Sequence, residues 1–194
     1  MNDYTLSIYV SGVGGFGIGS VIRILSSAAQ IRGLKAIGSE THGLAQRGGV
    51  VISTLQIGKD VTGSPLIIKG AADIVITLEP LEALRAMPYL KRKGVIIYNT
   101  QKFQPLSVRL GSAKYPTLDN IKAELERVTD RVIPVDASAK AKELGLSESA
   151  NVILLGRLTR EEAIPFDIET MRQAIRETTP ARYLDINLRA LEVG

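Results

Sequence analysis

Gly12, Gly14 and Gly17 form a GxGxxG, with Gly15 and Gly19 interleaved, directly after the strand-like run Thr5 to Val10. From Gly17 onward, apolar residues recur at helical spacing until Gly33 stops them. In that context the motif has chemical meaning: the backbone amides and positive end of the helix would face an anion, and the missing side chains would let it approach. The competing reading is purely mechanical, glycine allowing helix and strand to pack closely.

A dinucleotide site needs, in addition, an acidic residue near the end of the second strand to hold ribose hydroxyls. Glu40, 23 positions after Gly17, nearly qualifies. The chain then runs through Thr41, His42, Gly43, Leu44, Ala45, Gln46, Arg47, Gly48 and Gly49 with no second crossover helix, unlike a nicotinamide site. This run gathers a carboxylate, the single histidine, an amide and an arginine among three glycines. Arg47 could offer a fork of donors to a phosphate or carboxylate, and His42 could move a proton near neutral pH. Alternatively, His42 and Gln46 serve only local backbone groups, as polar loop residues often do.

The elements that must position these groups read as an α/β pattern. Leu34 to Ser39, Val50 to Ile57, Asp73 to Leu78, Val95 to Asn99 and Val132 to Val135 look like short buried strands. The opening forty residues have the order of a βαβ unit, for which parallel pairing of its two strands is expected. Helices are expected from Pro80 to about Leu90, then over Leu118 to Val128, Ala137 to Leu144, Asn151 to Arg157, Ile168 to Glu177 and Ala181 to Leu191. The expected fold is a Rossmann-like, open and mostly parallel sheet with helices on both faces and a helical C-terminal part. The two glycine-rich segments should then converge at the carboxyl ends of parallel strands, where Asn99 and Thr100 could line the same crevice or simply turn the chain.

Composition narrows the chemistry. The chain has 194 residues, 45% of them hydrophobic and 23% charged, enough for one self-sufficient core. With no cysteine, thiolate-held metal, chain-ligated iron–sulfur clusters, a catalytic thiol and disulfides are excluded. A net charge of +4 is modest for nucleic acid binding. The one dense basic cluster, Lys91 to Lys93, is expected at a helix end, where cations complement the dipole. Asp3 and five early glycines argue against a secretory signal, and no apolar run is long enough to span a membrane; a cytoplasmic protein is expected. Ten of the 18 glycines lie between Gly12 and Gly49, so the first quarter looks like the site.

GVGGFG, SETHGLAQRGG, SPLI, LEPLEALR and the pair Asn99–Thr100 together resemble the gamma-type domain of 2-oxoacid:ferredoxin oxidoreductases, nearest to the indolepyruvate branch. The likeness covers essentially the whole chain, including NVILLG (Asn151 to Gly156) and a late helix with Asn187 and Leu188. The HGLAQRGG element is far more specific than the glycine motif. Two positions depart from the family: Phe16 stands where glutamine is usual and Leu44 where methionine is usual. The first change removes a polar group that could have faced a ligand.

The resemblance implies one gamma-type domain over residues 1–194, with the helices from about 137 packing on it. It implies a subunit, inactive alone, of an enzyme that oxidatively decarboxylates a 2-oxo acid, aryl pyruvates in the nearest branch. Coenzyme A takes the acyl group and ferredoxin the electrons. No thiamine-binding GDG signature is present, so the resemblance places thiamine diphosphate, Mg and 4Fe–4S clusters on a larger alpha subunit. For this chain it leaves a role in completing the complex and shaping the coenzyme A or substrate entrance. Candidate ligand or partner residues are Gly12, Gly14, Gly15, Gly17, Glu40, His42, Gln46, Arg47, Gly48, Gly49 and Asn99, with Arg47 facing a coenzyme A phosphate or the partner. No catalytic residue and no metal ligand is assigned, and neither nucleic acid nor membrane is expected as a partner. Three alternatives stay open: a gamma subunit for pyruvate or another 2-oxo acid, a free-standing dinucleotide-binding reductase, and an interaction module with an empty glycine turn. The segment Glu79 to Arg85 reads most simply as an acid-capped helix start.

Overall fold

The computed structural model describes residues 5–41 and 49–194. Six strands, β1 (Leu6–Val13), β2 (Lys35–Thr41), β3 (Val50–Gly58), β4 (Ala72–Thr77), β5 (Leu90–Asn99) and β6 (Val132–Val135), form one sheet in the order β2-β3-β1-β4-β5-β6. β1, β4, β5 and β6 pair in parallel, while β3 runs antiparallel to both β1 and β2. The sheet is mixed and mostly parallel, as the pattern of elements predicts.

One expectation fails. β1 and β2 do not pair, because β3 inserts between them, matching Val10 to Ser53 on one side and Glu40 to Ser53 on the other. Glu40 and Thr41 therefore end the first strand of an antiparallel β2–β3 pair rather than the second strand of a βαβ unit.

Period-two alternation sends successive strand residues to opposite faces. Ile8, Val10, Ile74, Ile76 and Ile97 face one cluster, completed by α1 (Ile18–Ile31), α5 (Ala137–Leu144), α6 (Ala150–Arg160), α7 (Ile168–Thr178) and α8 (Ala181–Val193). Tyr9, Val75, Ile96 and Tyr98 face a smaller cluster under α2 (Pro80–Ala86) and α4 (Leu118–Glu126). Tyr9 there stacks on Tyr89, centroids 4.6 Å apart. A single-turn helix, α3 (Leu106–Arg109), was not anticipated.

Lys91 to Lys93 is the second correction. α2 ends at Ala86, a 3-10 turn spans Met87–Tyr89, and β5 has begun by Leu90, so the cluster sits in a strand. The β4–β5 register shifts between Ala72 and Ile74, and Lys93 takes a φ of 67°. Lys91 pairs with Asp73 at 2.8 Å instead of with helix carbonyls. Gly94 is needed because a Cβ there would lie 2.9 Å from the Asp73 carbonyl oxygen.

Candidate functional site

The helix following β1 packs on one face of the sheet and the helix following β4 packs on the other. Since β1 and β4 are parallel neighbours, their carboxyl ends mark the point where the connections diverge, the usual ligand crevice of open α/β sheets. The glycine turn occupies this place. Gly12 ends close to Leu78, the residue after β4: a Cβ on Gly12 would stand 3.0 Å from that of Leu78. Gly15 and Gly17 adopt φ of 99° and 81°, a region that side chains resist. Gly17 caps α1 without any side-chain acceptor, and no acid stands in the first turn. Of the amides of that first turn, Ser20 N–H bonds back to the Gly17 carbonyl at 3.0 Å.

Asn151 fixes this turn from 134 residues away, its Nδ2 donating to the Gly17 carbonyl at 3.0 Å. Two hollows flank the turn. One of about 330 Å³ is lined by Gly15, Gly17, Arg23, Asn151, Tyr183 and Asn187. The other, about 260 Å³, lies among Gly15, Phe16, Leu78, Asn99, Ser138 and Glu148. On the other face of the sheet, in line with Tyr9 and Val75, the cross-strand neighbours Ser11 and Thr77 bury hydroxyls that have no partner among the described residues.

The described ends of the second glycine-rich segment lie next to the first, though between antiparallel rather than parallel strands. Gly14 N–H donates to the Gly49 carbonyl at 2.9 Å, and Val13 pairs with Val50. Glu40 reaches α1: a Cβ on Gly19 would stand 2.8 Å from Glu40 Oε1. His42, Gly43, Leu44, Ala45, Gln46, Arg47 and Gly48 lie outside the described residues. Both ends of the segment therefore border the turn.

Glu40 is displaced from a ribose-binding position, however. With β3 between β1 and β2, its strand stands two strand spacings, roughly 9–10 Å, from β1 instead of one.

Asn99 lines the second hollow and is also structural. Its Nδ2 donates to Ser138 Oγ at 2.8 Å and to the Leu78 carbonyl at 3.4 Å, while its Oδ1 accepts from Ser138 N–H at 3.2 Å. Phe16 meets Phe103 edge to face, ring centroids 5.7 Å apart, giving the turn an apolar wall.

Glu79 bears out the helix-capping reading and does more. Its Oε2 accepts from Leu81 N–H at 2.7 Å and Glu82 N–H at 3.1 Å, and its Oε1 accepts from Phe103 N–H at 3.1 Å and from the Tyr115 hydroxyl. Burial together with this carboxylate pushes the Tyr115 phenol up. Burial likewise raises Glu82, with Arg85 opposing it. Among the described residues no group of three His, Cys, Asp or Glu is arranged to hold a metal ion.

Sequence reasoning left Asn151, Arg23 and Tyr183 out of the site. For Asn151 a signal existed: a polar residue in the apolar run NVILLG must find a partner once buried.

The sequence pattern of the family described as pyruvate ferredoxin/flavodoxin oxidoreductase matches residues 7–194. The indolepyruvate oxidoreductase subunit IorB of Archaeoglobus fulgidus is 47% identical over 189 residues, covering 97% of this chain and 93% of that protein. The subunit of the same name from Thermococcus kodakarensis is 37% identical over 195 residues, covering 100% and 95%. A more distant relative, the ketoisovalerate oxidoreductase subunit VorA of Methanothermobacter marburgensis, is 26% identical over 96% of this chain but only 35% of its own length. Among solved structures, the gamma subunit of a keto/oxoacid ferredoxin oxidoreductase from Geobacter sulfurreducens superposes with a TM-score of 0.68 at 21% identity, over 97% of this chain and 95% of that one. The 2-oxoglutarate:ferredoxin oxidoreductase of Magnetococcus marinus, solved with 2-oxoglutarate, coenzyme A and succinyl-CoA, gives 0.71 at 18% identity, over 98% of this chain and 30% of that one.

Proposed function

We propose, from the premise that the chain belongs to the pyruvate ferredoxin/flavodoxin oxidoreductase family, that it is the subunit without redox centres of an indolepyruvate-type enzyme. That enzyme converts an aryl pyruvate and coenzyme A to carbon dioxide and an acyl-CoA, passing the electrons to ferredoxin. The observation that carries this reading is 47% identity to an indolepyruvate oxidoreductase subunit across nearly the full length of both chains. The ketoisovalerate relative supports the second reading, a gamma-type subunit for another 2-oxo acid, at the lower identity of 26%.

Thiamine diphosphate, Mg and the 4Fe–4S clusters belong, on this reading, to a larger alpha subunit. This chain's composition does not fit the clusters, since it has no cysteine to ligate them. Its own residues suit an anionic ligand tail. The helix α1 opens with no side-chain cap and no acid of its own in the first turn, Glu40 of β2 stands beside Gly19 there, and Arg23 stands on the same helix at the rim of the larger hollow. Phe16 and Phe103 offer an apolar wall, and Asn99 lines the smaller hollow. Coenzyme A, which combines phosphates with an apolar ring and arm, matches that mixture, and Arg47 in the adjoining segment is assigned to a phosphate. A free-standing dinucleotide reductase is a poorer match, because β3 separates Glu40 from the strand that carries the turn. We read residues 1–194 as one gamma-type unit in a cytoplasmic complex.

The test is purification of the tagged chain from its native cells without oxygen, followed by assay with indolepyruvate, pyruvate and a branched 2-oxo acid. Co-elution of a larger iron–sulfur subunit and coenzyme A-dependent ferredoxin reduction, fastest with indolepyruvate, is expected. A colourless chain that elutes alone and binds nicotinamide nucleotide would refute the assignment. In the reconstituted complex, Arg47→Ala should raise the coenzyme A concentration needed for half-maximal rate while assembly is unchanged; identical kinetics would remove Arg47 from the site.

A further inference from the structure

The basic cluster Lys91 to Lys93 plays no part in the crevice. It lies at the other end of the sheet, where β1, β4 and β5 begin and the antiparallel β3 ends. A hollow of about 480 Å³ opens there, larger than either of those beside the glycine turn and of a size that takes small ligands. Buried Leu6, Ile74 and Val95 line it, and so do five cations, Lys59, Lys91, Arg92, Lys93 and Arg131.

The cations come to one hollow because the backbone departs from a regular strand. Ala72 pairs with Leu90 but Ile74 with Val95, so residues 91–94 bulge out of the β4–β5 ladder. In a regular strand Arg92 would turn to the face opposite Lys91 and Lys93; with the bulge, all three line the same hollow. Among the described residues only Lys93 and Glu162 are non-glycine residues at positive φ, 67° and 51°, and both line this hollow. A backbone shape held there without glycine is kept at a cost, and such shapes cluster at ligand sites.

The acids at the hollow leave most of this charge unmatched. Asp73 is engaged, its Oδ1 accepting from Lys91 and its Oδ2 from Ser7 N–H, both at 2.8 Å. Glu162 is the other acid among the described lining residues. Arg92 and Lys93 form no ion pair among the described residues, and Arg131 reaches only the Glu161 carbonyl, at 3.4 Å. The cations come from separate places in the chain, after β3, within β5 and before β6, so they surround more space than one phosphate fills.

We propose that this hollow is a second ligand site, taking a small anion that carries a diphosphate, held by Arg92, Lys93 and Arg131. Guanidinium forks suit phosphate oxygens, and the recessed apolar lining favours a small molecule over a flat acidic surface. The site does not depend on the subunit reading, because this chain alone supplies it.

The test is calorimetric titration of the purified full chain with inorganic pyrophosphate and, separately, ADP, at fixed ionic strength and without divalent metal. Saturable binding at one site is expected. Arg92→Gln and Arg131→Gln should each weaken it about tenfold or more, the scale of a lost charged hydrogen bond. Glu162→Gln should tighten it by removing a repelling charge. Lys93→Gly should weaken binding yet raise the thermal midpoint, since glycine accepts a φ of 67° without strain; a purely structural Lys93 would move only the midpoint. Arg189→Gln on α8 removes the same charge elsewhere and should leave affinity unchanged. ADP binding about tenfold tighter than pyrophosphate would identify a nucleotide as the ligand, and equal affinities the free diphosphate. Three results would overturn the proposal: no saturable binding of either probe, equal losses in Arg92→Gln and Arg189→Gln, which mean general charge attraction, or a loss confined to Arg23→Gln, which means binding in the crevice. Each of these would leave the subunit reading standing.

Discussion

Gly17 and Asn151 carry the crevice geometry at the scale of single residues. A Cβ at position 17 would have to exist at a φ of 81° and within 2.4 Å of Asn151 Nδ2. Gly17→Ala should therefore cost about 1–3 kcal/mol of unfolding free energy by chemical denaturation. Asn151→Ala should recover part of that cost in the double variant, because it removes the clash while the backbone strain stays. Glu79 is a second such residue. All four groups around its carboxylate are donors, so a carboxamide must turn its NH2 toward another N–H or the phenol. Glu79→Gln should then lose about 2–4 kcal/mol, and Tyr115→Phe in that background should cost less than it does alone.

Close approach of backbones governs the elements. α6 and α8 touch at Gly156, where a Cβ would stand 2.2 Å from the Leu191 carbonyl oxygen and 3.1 Å from Gly194 Cα. No rotamer change can relieve a contact with main chain. Gly156→Ala should force the helices apart and destabilise by about 1–3 kcal/mol or more, measurable as a lower midpoint in thermal unfolding. Residues 91 to 93 show a different rule: a run of cations that reads as a helix end becomes a strand start once Lys91 finds Asp73 and the register shifts around it.

Alkaline titration reports on the whole molecule. Burial raises the phenols of Tyr9, to about 12, and of Tyr98 and Tyr115, all on the α2/α4 face. A raised phenol binds its proton more tightly in the folded state, so its contribution is fully present below the ordinary value of 10.0 and disappears as pH rises toward about 12. Denaturation midpoints should accordingly be level from pH 8 to 9 and fall above 10. Tyr9→Phe should flatten that fall; an unchanged slope would show that burial of Tyr9 does not set it.

The sequence by itself determined the type and extent of most elements, since helical and strand periods are local: α4 begins at Leu118, α5 spans Ala137–Leu144 and α7 begins at Ile168, as the spacing predicts. It also exposed the glycine turn and, by specific motifs, the family. Only the tertiary structure decided the strand order. The choice between β1 pairing with β2 or with β3 depends on hydrogen bonds between residues far apart in the chain, and the alternating apolar pattern is the same in either case. The partners of buried polar groups were undecidable for the same reason. Asn151 could be seen to need an acceptor, but that the acceptor is the Gly17 carbonyl, at the head of a helix 134 residues away, follows only when both are brought to one crevice.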